Sequence, residues 1–172
     1  MKTLLLTGAP GVGKTTVLRK VAAGLPGWKI AGFYTEEIRA SHGERSGFRL
    51  MCFDGRSGEM ARADFPGPQR IGKYGVDVAV IDELAPAALS LDQRADVYLV
   101  DEIGKMECLS DKFVAAMEKL LGSGKLVVAT VALHGEGFIE EVKRRPGLQL
   151  WQVTRGDRDY LPTDIIAWLK KA

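Results

Sequence analysis

Cysteine is scarce in this chain. Two residues, Cys52 and Cys108, among 172 make no disulfide framework, and their spacing fits no metal motif. Both read as reduced thiols, as expected of a cytoplasmic protein. Histidine is as rare: His42 and His134 stand in polar, turn-like stretches too far apart to suggest a metal site. No apolar run approaches the ~20 residues that span a bilayer. Met1-Lys2 leads straight into a short apolar segment, which lacks the layout of a signal peptide. Charge of one sign is missing too. A net charge of +2 creates no field that calls for nucleic acid or a membrane, and no cluster interleaves aromatic with basic residues. There are no internal repeats or low-complexity tracts. At 46% hydrophobic, 172 residues suffice for one well-packed domain, residues 1–172, and are short for two. The oligomeric state stays open, and a monomer is compatible with all of this.

What the sequence does contain is Gly8-Ala9-Pro10-Gly11-Val12-Gly13-Lys14-Thr15, a match to G-x-x-x-x-G-K-[ST]. Thr3-Leu4-Leu5-Leu6-Thr7 before it reads as a buried strand. Residues 14–25 after it carry Val17, Leu18, Val21, Ala22 and Leu25 at helical spacing. Strand, loop and helix are the context in which this pattern binds phosphate. The glycines let the backbone turn tightly and aim its N–H groups inward, and the positive end of the helix dipole adds to their field. Lys14 is expected at the β- and γ-phosphates, the Thr15 hydroxyl at Mg²⁺, and Thr16, next to it, at the nucleotide. The chain therefore binds a nucleoside triphosphate.

Further along, residues 28–38, 47–53 and 59–63 alternate and are separated by polar turns. They read as antiparallel hairpins rather than a crossover unit. Residues 65–75, rich in Gly and Pro, read as irregular. Helices are expected at 82–91 (with Pro86 near its first turn), 111–121, 137–145 and 162–171. Strands are expected at 97–100, 126–131 and 148–154. The pattern is a parallel α/β nucleotide-binding core with an antiparallel insertion over about 28–64.

Val97-Tyr98-Leu99-Val100-Asp101-Glu102 is a second chemical element. An acid that ends an apolar strand sits at the carboxyl edge of the sheet, where ligands of open α/β sheets bind. Asp101 is placed there to hold the Mg²⁺ shell opposite Thr15. Glu102 is placed to face the γ-phosphate and polarise a water.

The strings from Gly8 to Thr16, Gly32-Phe33-Tyr34-Thr35-Glu36-Glu37-Ile38-Arg39, Asp101-Glu102-Ile103-Gly104-Lys105-Met106-Glu107 and Val153-Thr154-Arg155-Gly156-Asp157-Arg158-Asp159 carry a family resemblance. Together they resemble the small nucleoside-triphosphatases of thermophiles, the family that includes the human cancer-related nucleoside-triphosphatase. The resemblance implies Mg²⁺-dependent hydrolysis of ATP, GTP and other nucleoside triphosphates. It also implies a three-layer P-loop sandwich with a mostly parallel sheet, like RecA-type ATPases and nucleotide kinases, and a place for Arg158 at the base. The chain departs from the family at Thr130-Val131-Ala132, which lacks a proline, and at Gly156-Asp157, where Asn-Arg is commoner. Neither change removes a catalytic group.

Secondary candidates carry two readings each. Thr130 either senses the γ-phosphate or is simply a strand former. Lys105 either reaches phosphate or pairs with Asp101 or Glu107, or does neither. Glu36 or Glu37 could touch a metal-bound water. Among Arg39, Arg45, Arg49, Arg62 and Arg70 one could be an arginine finger. With no unambiguous finger in cis, turnover is expected below the usual range of roughly 1–1000 per second. The alternatives are a nucleotide or small-molecule kinase, for which Lys143-Arg144-Arg145 could imitate a lid, a GTPase switch, and a nucleotide-gated binding module.

Overall fold

The computed structural model describes residues 2–92 and 94–172. Among them, strands and helices run in the order β1 (Thr3–Thr7), α1 (Lys14–Ala23), β2 (Ile30–Arg39), β3 (Arg45–Cys52), β4 (Ser57–Arg62), β5 (Arg70–Ile71), β6 (Tyr74–Val76), α2 (Val78–Ala88), β7 (Val97–Ile103), α3 (Asp111–Leu121), β8 (Val127–Val131), α4 (Phe138–Lys143), β9 (Leu148–Gln152) and α5 (Leu161–Leu169). All nine strands join one sheet in the order β5-β6-β4-β3-β2-β7-β8-β1-β9.

Two halves meet at β2. On one side, β2, β7, β8, β1 and β9 pair in parallel. On the other, β3, β4, β6 and β5 form an antiparallel wing. The expectation of a mostly parallel sheet is thus corrected to an evenly mixed one among the described residues, with four parallel and four antiparallel pairings. The difference lies in residues 65–75, read as irregular from their Gly and Pro content. They hold β5 and the start of β6, two strands too short to show any periodicity.

The central strands are buried at nearly every position, the state expected where helices cover both faces of a sheet. Alternate residues serve alternate layers. Leu5, Val100 and Ala129 pack with α2, α3 and α4, whereas Leu4, Leu6, Leu99 and Val128 pack with α1 and α5. Leu4, Leu5 and Leu6 have no exposed surface, and each contributes ~2 kcal/mol by leaving water. Trp28, Trp151 and Trp168 pack half-buried at the margin of the α1/α5 layer.

One helix starts earlier than its sequence pattern indicates. The Asp77 side chain accepts hydrogen bonds from the N–H groups of Ala79 at 3.1 Å and Val80 at 3.4 Å. That cap starts α2 at Val78 rather than at Asp82. Pro86 therefore lies near the helix end, where its missing N–H interrupts only the last turn.

This topology brings the carboxyl ends of β1, β7 and β8 to one edge. It also presses β2 against β7, with Gly32 beside Leu99. Gly32 has φ +103°, and a Cβ there would lie 2.0 Å from the Leu99 carbonyl oxygen. Both the left-handed backbone and the close approach require glycine. Gly32→Ala is expected to cost at least about 2 kcal/mol. Urea unfolding should show a lower midpoint with an unchanged slope. A parental midpoint would mean that the β2–β7 junction does not depend on this glycine.

Candidate active site

The loop from Gly8 to Gly13 joins β1 to α1 and folds on itself through Val12 N–H donating to the Ala9 carbonyl at 3.1 Å. Gly13 precedes the helix with φ 112°, a left-handed turn that a side chain would strain. Ala9, Pro10 and Gly11 are exposed, whereas Val12 anchors the loop in the α1/α5 core. Lys14 is buried and curls back over the loop: its Nζ donates to the Gly8 carbonyl at 2.9 Å and the Ala9 carbonyl at 3.4 Å. It also lies 3.8 Å from Glu102 Oε2. Strand, loop and helix thus stand as the sequence pattern implies, with the one buried lysine of the described core at their centre.

Asp101, 1% exposed, gathers hydroxyls from three elements. Its Oδ2 accepts from Thr15 Oγ1 at 2.8 Å and Thr35 Oγ1 at 2.9 Å, with the Thr35 N–H at 3.4 Å. Its Oδ1 accepts from Thr130 Oγ1 at 2.6 Å. A buried carboxylate needs donors of this kind. Here α1, β2 and β8 each supply one side chain to an acid on β7. Thr130 therefore touches Asp101, which gives the residue a polar role at the site beyond strand formation. Thr35 escaped the sequence reading, which looked past it to Glu36 and Glu37. Glu36 lies 3.9 Å from Arg19, and Glu37 pairs with Arg39 and Arg45.

Glu102 follows, its side chain about one-third exposed, across a peptide bond that is cis. Burial raises its carboxyl above the ordinary range, the neighbouring Asp101 charge adds to that, and Lys14 opposes it. Glu107 is another acid that the sequence reading weighed only as a partner for Lys105. It is buried, and burial first, then the nearby Glu102, pushes its carboxyl well above the ordinary range. Lys105 is exposed and makes no ion pair with Asp101 or Glu107 among the described residues.

Arg158 reaches the loop from the segment after β9, donating from Nη1 to the Val12 carbonyl at 3.1 Å. With Gly13, Thr16, Val17, Lys20 and Asp159 it lines a cleft of about 240 Å³ beside the start of α1. The arginines of the wing are engaged elsewhere. Arg39 and Arg45 pair with Glu37, Arg49 with Glu59, and Arg62 with Glu59 and Asp64. Arg70 donates to the carbonyls of Phe65 and Lys73. Lys143, part of the basic stretch that could imitate a kinase lid, donates to the Leu133 carbonyl and to Glu140. Among the described residues no three His, Cys, Asp or Glu side chains group as a metal cluster. Burial holds the Cys52 and Cys108 thiols at about 11 and about 12, far from the thiolate form that a nucleophile needs.

The chain matches the family described as NTPase over residues 3–166. It is 42% identical to the nucleoside-triphosphatase THEP1 of Thermotoga petrophila over 97% of this chain and 92% of that protein. Its structure resembles that of THEP1 from Aquifex aeolicus with a TM-score of 0.88, at 34% identity over 98% of this chain and 99% of the other. The solution structure of a human cancer-related nucleoside triphosphatase is similar too, with a TM-score of 0.81 at 31% identity, over 100% of this chain and 99% of the other. With likeness of this order along nearly its whole length, the chain belongs to the nucleoside-triphosphatase family and is an enzyme that hydrolyses nucleoside triphosphates.

Proposed function

We propose that the chain hydrolyses ATP, GTP and other nucleoside triphosphates to the diphosphate and phosphate, with Mg²⁺, at the site formed by residues 8–16, Asp101 and Glu102. The observation that carries this reading is the hydrogen bond from Thr15 to Asp101. It turns the hydroxyl proton toward the carboxylate and leaves the oxygen lone pairs of Thr15 for a cation. An oxygen donor of this kind suits Mg²⁺, which keeps most of its shell as water and substrate phosphate. Thr15 would hold the ion directly, and Asp101 would act through the Thr15 hydroxyl. When bound, Mg²⁺ neutralises charge on the β- and γ-phosphate oxygens.

The chain's own groups account for the rest. The N–H groups of residues 8–13 and the first turn of α1 receive the phosphates. Lys14 exchanges its carbonyl partners for phosphate oxygens and lowers the charge that builds up on the leaving side. Glu102 faces the same phosphates from the end of β7. It orients the attacking water and takes its proton, a role that its raised basicity favours. Arg158, and Thr16 beside it, border the cleft next to the loop, where the nucleoside would rest. Thr130 and Lys105 are the remaining candidates for contact with nucleotide. Because the wing arginines are engaged in ion pairs and carbonyl contacts, hydrolysis proceeds without an arginine finger in cis and is slow, below roughly one per second.

The same reading extends to the fold, a three-layer P-loop sandwich of the RecA and nucleotide-kinase type within one domain over residues 1–172. No helix of the described residues is long and apolar enough to cross a membrane; a cytoplasmic location, with neither membrane nor nucleic acid as partner, is part of the proposal.

Lys14→Ala is expected to abolish phosphate release and weaken triphosphate binding. Steady-state assays with ATP and GTP check this, and parental rates would remove the loop from the mechanism. Hydrolysis should stop in EDTA. Thr15→Ala and Asp101→Asn should both raise the Mg²⁺ concentration needed for half-maximal rate. Full activity in chelator would exclude the metal. Glu102→Gln keeps the size of the side chain but accepts no proton, so kcat should fall by roughly 10²–10⁴ while nucleotide affinity stays near parental. Labelled γ-phosphate recovered on a small acceptor rather than as free phosphate would overturn hydrolysis in favour of a kinase.

A further inference from the structure

Gly104 is glycine for want of room, not for backbone freedom. Its φ is not among the positive ones, so the backbone would accept alanine. A Cβ at this position would nevertheless lie 2.8 Å from Glu107 Oε2 and 2.9 Å from both Cγ and Oε1 of Glu102. The ends of the two glutamates therefore converge on the one spot that a side chain at 104 would fill. The chain between them is closed into a tight turn. Cys108 N–H donates to the Gly104 carbonyl at 3.0 Å, and Ser110 N–H to the Glu107 carbonyl at 3.0 Å. This turn carries Glu107 back beside the strand end from which the chain has just departed.

Glu107 has no cation to pair with among the described residues. It is 4% exposed, and the charged groups it senses are Glu102 and Asp101, both acids. Two carboxylates held this close do not both ionise cheaply, and the more deeply buried one keeps its proton. Glu107 and Glu102 share the space over Gly104, and the open side of Glu102 faces Lys14 at 3.8 Å.

We propose that Gly104 and Glu107 are positioning residues for Glu102: the missing side chain at 104 is the slot in which the Glu102 carboxylate lies, and the buried Glu107 carboxyl is the wall that turns it toward Lys14 and the phosphate loop. The inference rests on the assignment of Glu102 to the attacking water. It adds that the direction of this carboxylate is built by two residues that never meet the nucleotide. Glu107 does not accept the proton from water. It restricts where Glu102 can point.

Gly104→Ala tests this directly, because the atoms it meets all belong to the side chains of Glu102 and Glu107 and none to backbone. In steady-state hydrolysis of ATP its kcat should fall about tenfold to a hundredfold with KM little changed, as expected when a reacting group is displaced by about 1 Å. The melting midpoint should stay near that of the parent. Glu107→Leu should show the same split, and Glu107→Gln, which keeps both shape and neutrality, should recover most of the loss. In a Glu102→Gln background, adding Gly104→Ala should change kcat less than about twofold, since the group it moves is already inert.

Parental kcat in Gly104→Ala, or an equal loss with and without Glu102, would overturn the inference while leaving Glu102 in its role. A Glu102→Gln variant with unchanged turnover would instead remove the assignment on which the inference stands. Where Glu107→Leu melts too low to assay, Gly104→Ala decides.

Discussion

The carboxylate of Asp101 is the constraint around which this enzyme is arranged. It is nearly sealed from solvent, and a buried anion without donors would cost several kcal/mol. The fold meets that cost with hydroxyls from three elements far apart in sequence: Thr15 at the start of α1, Thr35 on β2 and Thr130 on β8. Each of these elements is thereby held in a fixed relation to β7. The phosphate loop, which precedes Thr15 directly, inherits its position from the same acid. A structural need, satisfying one buried charge, and a chemical one, orienting the Thr15 hydroxyl, are met by one set of hydrogen bonds.

The acids at the end of β7 divide the work by environment. Asp101 is surrounded by donors and Glu102 faces a lysine at 3.8 Å, whereas the charged groups near the buried Glu107 are acids, relieved only by backbone N–H groups of its own residue and of Gly104. Three carboxyls within seven residues would repel one another strongly if all were ionised. Packing separates them, one donor-saturated, one partly open beside Lys14 and one buried. Their order along the chain says nothing of this division; the turn at Gly104 produces it.

Much of the site was legible because it is local. The loop from Gly8 to Thr15 lies within a single strand–loop–helix unit, and Asp101-Glu102 ends a visibly apolar strand, so neighbours in sequence point to the proposed chemistry. Thr35 was not legible in this way. Its contact with Asp101 depends on β2 lying next to β7, a pairing between segments more than sixty residues apart. The glutamates that follow it drew the eye as acids, and both turned out to serve arginines. Burial of Glu107 was not legible either, since the turn it opens packs against α2 and β7 as well as against α3. In the fold, the long strands and α3 announced themselves by periodicity, while β5 and β6 are too short to have any. The start of α2 hinged on a cap, Asp77, that stands five residues ahead of the apolar pattern used to place it.

β2 has one further consequence. Its first half pairs with β7 and its second half with β3, and Thr35 sits in the half that has already left β7 for the wing. The strand that leads into the four-stranded wing and the Thr15 hydroxyl are therefore joined through one shared acceptor, Oδ2 of Asp101. A displacement of β2 beyond Phe33, the last of its residues paired with β7, would withdraw the Thr35 hydroxyl and leave Thr15 as the sole hydroxyl donor to that oxygen. The antiparallel wing and the start of α1 are thus tied to the same carboxylate oxygen, although the strands that lead into them, β2 and β1, lie on opposite sides of β7 in the sheet.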